Sequence, residues 1–174
     1  MSVAKIVGLA CVVVAMSANA AERRARDWIW NTESPDLQWA STANDAGEAL
    51  GQFCDATEGK CFYAVSFDTT CEEGASYPAI VNTDAGASAI TLRCGVRLEN
   101  GTNLMVASDF DQMDGLVRGA TRMGFALPME SDAFRAVRFS LKGADKALDR
   151  MREVAVRTGS RRPDAKQSKS SEVF

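Results

Sequence analysis

The amino-acid sequence predicts a mainly β protein, an antiparallel β-sandwich or open barrel with one short helix and a C-terminal amphipathic helix. Three observations support this fold class. Several short segments alternate apolar and polar residues with a period of two, turn-forming residues separate these segments, and helical spacing is confined to two stretches.

The first predicted hairpin joins "LQWAS" to "EALGQFC" through a turn at "NDAG", residues 44–47. We interpret "EALGQFC" as a strand, because Gly47 and Gly51 weaken its alternative, a short helix. In the next predicted strand, "CFYAVSF", every second residue from Cys61 to Phe67 would face the core.

Three further segments continue this period of two. In "AITLRCGVRL" alternate residues from Ile90 to Leu98 would lie on one face, and Asn100-Gly101 in "LENGTN" then predicts a second hairpin. "RMGFAL" and "RAVRFSL" predict two later strands, with Phe125 and Phe139 directed at the core.

Two segments have apolar residues at helical spacing. "DFDQMDGLVRGA" predicts a short helix with Ser108 or Asp109 as its N-cap and Gly119 at its end. "GADKALDRMREVAVRTG" carries an apolar stripe and predicts the longer C-terminal helix. The polar, aperiodic residues 158–174 predict a disordered tail.

Residues 1–20 have the pattern of a secretory signal peptide. Lys5 precedes the apolar run "IVGLACVVVAM", and "SANAAE" supplies the small residues that predict cleavage between Ala20 and Ala21. A rival interpretation makes Cys11 in "GLAC" a lipidation site. We expect an exported protein, periplasmic or secreted, whose folded domain is residues 21–157.

Cys54, Cys61, Cys71 and Cys94 remain after such cleavage, and an even number of cysteines in an exported chain predicts disulfides. Six, nine and twenty-two residues separate them, which fits neither paired zinc ligands nor a C-x-x-C redox centre. Three connectivities are open, and sequence order favours Cys54–Cys61 with Cys71–Cys94.

Composition narrows the function classes. The chain has no histidine, which excludes Ser-His-Asp and Cys-His catalysis and imidazole metal ligation. A formal net charge of −3 disfavours general binding to nucleic acid or to an anionic membrane. Beyond the leader, no segment is long and apolar enough to predict stable membrane insertion. We therefore expect no enzyme activity, no cofactor and no resident metal.

Three segments resemble a group of small periplasmic proteins of Gram-negative bacteria: "NDAGEALGQFCDATEGKCFYAV", "CEEGASYPAIVNTDAGASAITLRC" and "RFSLKGADKAL". More loosely, the chain is similar to the invasion-associated locus B proteins, which share a cysteine-bearing β core and a late "SLKG" step from strand to helix. The resemblance spans Trp39 to Met151. It implies a secreted, disulfide-bonded β protein and carries no known catalytic residues.

The predicted binding segment is "CEEGASYPAIVNTDAG", which we interpret as a polar loop held by the Cys71–Cys94 disulfide. Its candidate residues are Glu72, Glu73, Tyr77, Asn82 and Asp84. The alternative is an ordinary turn, since Tyr77-Pro78 favours extended backbone and the stretch Asp84 to Gly86 favours reversal.

Other motifs have a functional and a structural interpretation. "SDFDQMDG" resembles a calcium loop or offers a glycosidase carboxylate pair among Asp109, Asp111 and Asp114, but it suits a capped helix better. The three tryptophans, Trp28, Trp30 and Trp39, would anchor a strand if buried and grip a sugar or protein partner if exposed.

The C-terminal part offers two more candidates. A basic stripe would suit an acidic partner or a membrane surface, or it is a solvated helix face; it consists of Lys142, Lys146, Arg150, Arg152 and Arg157. The terminal "SEVF" has an apolar residue with a free carboxylate, as ligands of PDZ-type grooves do.

The predicted function is that of a non-enzymatic binding or accessory protein, monomeric or homodimeric, with a protein partner in the cell envelope. Export, disulfides and a β core without an assembled catalytic motif favour it. Two alternatives stay open: an inhibitor of an envelope hydrolase such as a protease or lysozyme, and a carboxylate-dependent glycan hydrolase.

Overall fold

The computed structural model describes residues 23–98, 101–128 and 134–160. Ten strands, all in antiparallel pairs, form one sheet, which confirms the mainly β prediction. In chain order the strands are β1 (Arg24–Ala25), β2 (Trp28–Asn31), β3 (Leu37–Ala43), β4 (Ala49–Asp55), β5 (Lys60–Phe67), β6 (Ser76–Thr83), β7 (Gly86–Arg97), β8 (Asn103–Ala107), β9 (Arg122–Pro128) and β10 (Phe134–Ser140).

Across the sheet the strands follow the order β1-β2-β3-β4-β5-β8-β7-β6-β9-β10. The predicted hairpin through "NDAG" joins β3 to β4, so "EALGQFC" is a strand, as predicted. After β5 the chain crosses to β6, which lies three positions away in the sheet. The two positions between them are occupied by β7 and β8, which follow β6 in sequence. Residues 1–22, which include the predicted signal peptide and Cys11, lie outside the described residues, as do Asn100 and the tail from residue 161.

The sheet curls until β10 lies against β3. No ladder joins β1 to β10 within the described ranges, so the sheet is an open barrel rather than a closed one. Instead, Asp27 N donates to Lys142 O at 3.2 Å, and the Trp28 indole Nε1 donates to Ser140 O at 3.0 Å. We call this junction of the β1–β2 turn with the end of β10 the seam.

Gly143 explains the "SLKG" step of the sequence. It follows β10 with a φ of +94°, and a Cβ there would lie 1.9 Å from the carbonyl oxygen of Ala25. Only glycine permits this backbone conformation and this close approach. The step therefore lets β1 pack directly on the turn that starts the C-terminal helix.

One hydrophobic core fills the inside of the curled sheet. Alternate residues of each predicted strand point inward, and Tyr63, Phe67, Phe125 and Met105 are among its fully buried side chains. Phe125 packs edge-on against both Phe67 and Phe139, at centroid distances of 6.1 Å. The period of two in the sequence is thus the alternation between core and outer face.

Two helices pack against this core. α1 (Phe110–Arg118) begins at the predicted N-cap Asp109, whose carboxylate accepts from Gln112 N at 2.9 Å, and ends at Gly119. α2 (Ala144–Ser160) buries Ala147, Leu148 and Met151 and lies mainly over β2 and β3. The chain is helical through Ser160, the last residue that the structure describes.

Both disulfides have the predicted pairing. Cys54 and Cys61 are direct partners in the β4–β5 ladder, with Cα atoms 4.0 Å apart. Cys71 lies in the connection that crosses from β5 to β6, and its disulfide to Cys94 of β7 fixes that connection. Gly74 N donates to Cys94 O at 2.9 Å and reinforces the attachment.

Candidate functional site

An aromatic row crosses three neighbouring strands on the outer face of the sheet. Trp39 of β3 pairs in register with Phe53 of β4, and Phe53 pairs with Phe62 of β5. Each side chain is half-buried. We call these three residues the aromatic patch. Large apolar rings on a solvent-facing sheet surface are unusual for side chains without a binding role.

The two phenylalanine rings of the patch stack on each other. The Phe53 and Phe62 centroids are 5.6 Å apart, with an interplanar angle of 18°. Each ring therefore covers one face of the other. Stacking on a sugar requires an open ring face, whereas ring edges suit packing against apolar side chains.

A shallow groove of about 180 Å³ lies beside the patch. Trp39, Phe53 and Leu104 form its sides, and small residues form its floor; these are Ser41, Ala49, Gly51 and Ala64. A Cβ on Gly51 would lie 2.8 Å from both Ala40 O and Ser41 Cβ, so the floor has no room for a larger residue. The groove is smaller than the roughly 300–1,000 Å³ of small-molecule sites, and its size suits one inserted side chain.

The structure divides the predicted binding residues between the two ends of β6. Glu72 and Glu73 are exposed in the crossing connection, and Tyr77 O–H accepts from Glu72 N at 3.0 Å. Asn82 and Asp84 lie about 20 Å further along the strand direction. The five residues are therefore not assembled into one site.

The prediction of a loop over residues 71–86 is wrong for Ser76–Thr83, which form β6. Tyr77-Pro78 is extended, as expected for a residue before proline, although proline cannot donate to a sheet ladder. Its position explains the exception: β6 pairs with β9 only from Ile80 to Thr83, so no donor is required at residue 78 on that side.

Asp84 has a structural role in the turn between β6 and β7. Its carboxylate accepts from the Thr121 hydroxyl at 2.6 Å and from Thr121 N at 2.9 Å. These hydrogen bonds stabilise the charged form and lower the pKa of Asp84 to about 2. The carboxylate thereby ties the β6–β7 turn to the start of β9.

A half-buried polar cluster surrounds Asp114 of α1. Tyr63 O–H donates to Asp114 Oδ1 at 2.6 Å, and Arg152 of α2 donates to the same carboxylate and, at 2.8 Å, to Gln52 Oε1. Arg118 approaches Asp114 Oδ2 at 3.5 Å. The cluster joins both helices to β4 and β5.

Electrostatics fix the protonation states in this cluster. Burial alone would raise the pKa of Asp114, but hydrogen bonds from Arg152 and Tyr63 outweigh it and hold that pKa below its ordinary value. Burial and the bond to Asp114 raise the pKa of Tyr63. The carboxylate is charged and the phenol neutral at neutral pH, which suits a structural clamp.

The capped helix predicted for "SDFDQMDG" is present as α1. Asp109 caps α1 and Asp114 belongs to the clamp, so structural roles account for both carboxylates. Across the described part of the chain, no group of three or more cysteine or acidic residues is placed to hold a metal ion.

The tryptophans divide between the two roles foreseen for them. Trp28 is fully buried and Trp30 packs against the core, so both anchor β2. Trp39 instead lies half-buried on the outer face of the sheet. Sequence analysis missed its partners Phe53 and Phe62, although each is adjacent to an inward-facing cysteine and must therefore face outward.

The predicted basic stripe on α2 is wrong as a continuous surface. Arg152 turns inward to Asp114, and its guanidinium carbon lies 5.5 Å from the centroid of the Phe110 ring. Arg150 and Arg157 both pair with Glu153 on the helix surface. A search of the described residues found no helix with the length and apolar character needed to cross a membrane.

Comparison with known proteins supplies a fold relationship. No family model and no curated protein matches this chain. The crystal structure of invasion associated protein B from Bartonella henselae is similar to it, with a TM-score of 0.54 over 74% of this chain and 93% of that chain. The sequences are 15% identical, so the similarity confirms the expected resemblance at the level of fold.

Proposed function

We propose that this protein is an exported, non-enzymatic accessory protein that binds a protein partner through the aromatic patch and its groove. The single observation that carries the proposal is the row of Trp39, Phe53 and Phe62 on an outer sheet face, beside a groove sized for one side chain. Aromatic anchors around a pocket are the usual centre of a protein–protein interface.

Geometry favours a protein partner over a glycan. The mutual stacking of Phe53 and Phe62 covers one face of each ring and so reduces the ring surface open to a sugar. An apolar side chain of the partner, such as leucine or phenylalanine, would instead enter the groove between Trp39, Phe53 and Leu104. Neighbouring Ile29 and Leu37 are 43% and 38% exposed and would extend the contact.

Export is supported by the signal-peptide pattern and by the two disulfides, which persist in oxidising compartments. The fold shared with an invasion associated protein of Bartonella henselae is consistent with an accessory role at the cell envelope. We place the contact on the aromatic patch rather than on the disulfide-held connection, because Asn82 and Asp84 lie at the other end of β6 from Glu72, Glu73 and Tyr77.

Site-specific photocrosslinking in the native cell envelope tests this proposal. A photoreactive residue in place of Leu37, beside the patch, should give a discrete protein adduct, whereas one in place of Ala87 on β7 should not. Trp39→Ala and the groove-filling Ala49→Leu should each abolish the adduct. Ile80→Ala serves as the matched control, since Ile80 is 51% exposed on a distant part of the outer face.

An adduct that survives both Trp39→Ala and Ala49→Leu, or equal adducts from residues 37 and 87, would show that the patch is not the interface. Variants must first be shown by circular dichroism and mass measurement to be folded with both disulfides. If the adduct contains an envelope hydrolase whose activity this protein suppresses, the inhibitor alternative becomes the specific form of the proposed function.

A further inference from the structure

A second concave surface lies at the seam, away from the aromatic patch. This seam cleft has a volume of about 630 Å³ and is bounded by the β1–β2 turn, the β3–β4 turn, the β6–β7 turn and the adjoining ends of β9 and β10. Its volume is within the roughly 300–1,000 Å³ of small-molecule sites. Unlike most such sites, it is lined mainly by polar and charged side chains.

Four cationic side chains converge on the seam cleft: Arg24, Arg122, Arg138 and Lys142. None of them forms an ion pair with another described residue. The chain has 23 acidic and 20 basic residues, so a shortage of carboxylates does not explain the absence of these ion pairs. Elsewhere Arg118, Arg135 and Arg152 all contact carboxylates, whereas the four cations at the seam share one concave surface without such a contact.

Three carboxylates line the cleft with these cations: Asp27, Asp45 and Asp84. Asp27 Oδ2 accepts from the Ser140 hydroxyl at 2.5 Å, and Asp84 accepts from the hydroxyl and amide of Thr121. The four cations outnumber the three carboxylates and form no ion pair with them, so the cleft has a net positive charge. Asp45 adds a carboxylate that suits ligand hydroxyls.

The sheet register brings two of the cations together. Arg122 pairs with Ser140, and Arg138 lies two residues before Ser140 on the same outer face, so the two arginines are diagonal neighbours on β9 and β10. Diagonal neighbours lie about 7–8 Å apart, within reach of one anionic group for two long side chains. Gly124 lies directly opposite Arg138, and a Cβ there would lie 3.5 Å from Arg138 Cγ, so the stem of Arg138 packs over this glycine.

We propose that the seam cleft binds an anionic sugar, a hydroxylated ligand that carries a phosphate or carboxylate group. Arg122 and Arg138 hold the anionic group, because guanidinium groups bind phosphate and carboxylate oxygens through paired hydrogen bonds. Lys142 and Arg24 supply further positive charge, and the Asp45 carboxylate accepts from ligand hydroxyls.

Titration of the oxidised protein by NMR tests this proposal, with glucose 6-phosphate, glucuronate, glucose and inorganic phosphate as probes. Glucose 6-phosphate, glucuronate or both should give saturable amide shifts at Asp84, Arg122 and Arg138, and glucose should give none. The two anionic sugars distinguish a phosphate from a carboxylate ligand. Arg122→Ala and Arg138→Ala should each weaken binding at least tenfold.

Arg93→Ala is the matched control, since Arg93 is exposed on the outer face of β7 but does not line the cleft. Trp39→Ala should also leave the titration unchanged, which separates this proposal from that for the aromatic patch. Absence of saturable shifts with both anionic sugars would overturn the inference, as would binding that survives both arginine substitutions. Equal affinity for inorganic phosphate would overturn the assignment of a sugar.

Discussion

Two groups of arginines in this protein differ in what surrounds them. Around Asp114, Arg118 and Arg152 are 28% and 27% exposed and contact one carboxylate that also accepts from Tyr63. At the seam cleft, Arg122 and Arg138 are exposed, and their guanidinium groups contact no carboxylate among the described residues. The first group therefore belongs to the architecture, and the second is available to a ligand.

The difference shows that a charge pattern in a sequence does not reveal its own use. The basic stripe of α2 looked like a contact surface, yet Arg152 turns inward and donates to Asp114. In the sequence, Arg122 and Arg138 occupy the polar positions of half-buried strands, yet in the folded protein both line the seam cleft. Three predictions test this comparison.

The largest expected effect is that of Asp114→Ala. It removes the common acceptor of Arg152, Arg118 and Tyr63, and it leaves two guanidinium groups half-buried without their carboxylate. Loss of a fully buried pair costs about 3–5 kcal/mol, and the 21% exposure of Asp114 reduces this to about 2–3 kcal/mol of unfolding free energy. Urea unfolding with both disulfides intact measures it.

Asp149→Ala is the control for that substitution. Asp149 also contacts Arg118, at 2.8 Å, but its side chain is 66% exposed, so its loss should cost about 0.5 kcal/mol or less. If the two variants lose equally little stability, the cluster around Asp114 is not a structural clamp and the contrast between the arginine groups disappears.

An intermediate effect concerns acid pH and the carboxylate of Asp84. Because its pKa is lowered from 3.8 to about 2 in the folded state, the stability that it contributes is complete above about pH 4 and is lost as the pH falls toward 2. An NMR titration of the Asp84 carboxyl carbon should show a midpoint near the lower value.

Thr121→Val supplies the matched change, since it removes the hydroxyl donor and retains the backbone amide. The Asp84 midpoint should then move upward, toward its ordinary value. A midpoint near 4 in the unmodified protein would contradict the hydrogen bonds from Thr121 to Asp84.

The smallest expected effect on stability is that of Arg122→Ala and Arg138→Ala. Neither guanidinium has an ion pair to lose, so unfolding free energies should stay within about 0.5 kcal/mol of the parent protein. Urea unfolding tests this. A loss comparable to that of Asp114→Ala would place these arginines in the architecture and contradict the comparison.

Much of the fold was predictable because local patterns agree with it. Alternation identified the inward face of β5, β7, β9 and β10, Asp109 and Gly119 bounded α1, and the order of the cysteines gave both disulfides. These features depend on neighbours in sequence or on one periodicity, which a single chain displays directly.

The candidate site was less predictable, because it depends on register and on curvature. Trp39, Phe53 and Phe62 become neighbours only through the pairing of three strands. The Cys54–Cys61 disulfide did contain part of this information. If these cysteines are cross-strand partners on the inner face, their neighbours Phe53 and Phe62 must be cross-strand partners on the outer face. The seam cleft had no such signal, because the contact of Trp28 with Ser140 spans 112 positions in the chain.

The two disulfides join consecutive cysteines, Cys54 with Cys61 and Cys71 with Cys94, so their loops follow one another without nesting. In a chain that enters an oxidising compartment from its N-terminal end, the first pair is complete before the second pair arrives. Oxidation in order of arrival therefore yields the native bonds directly.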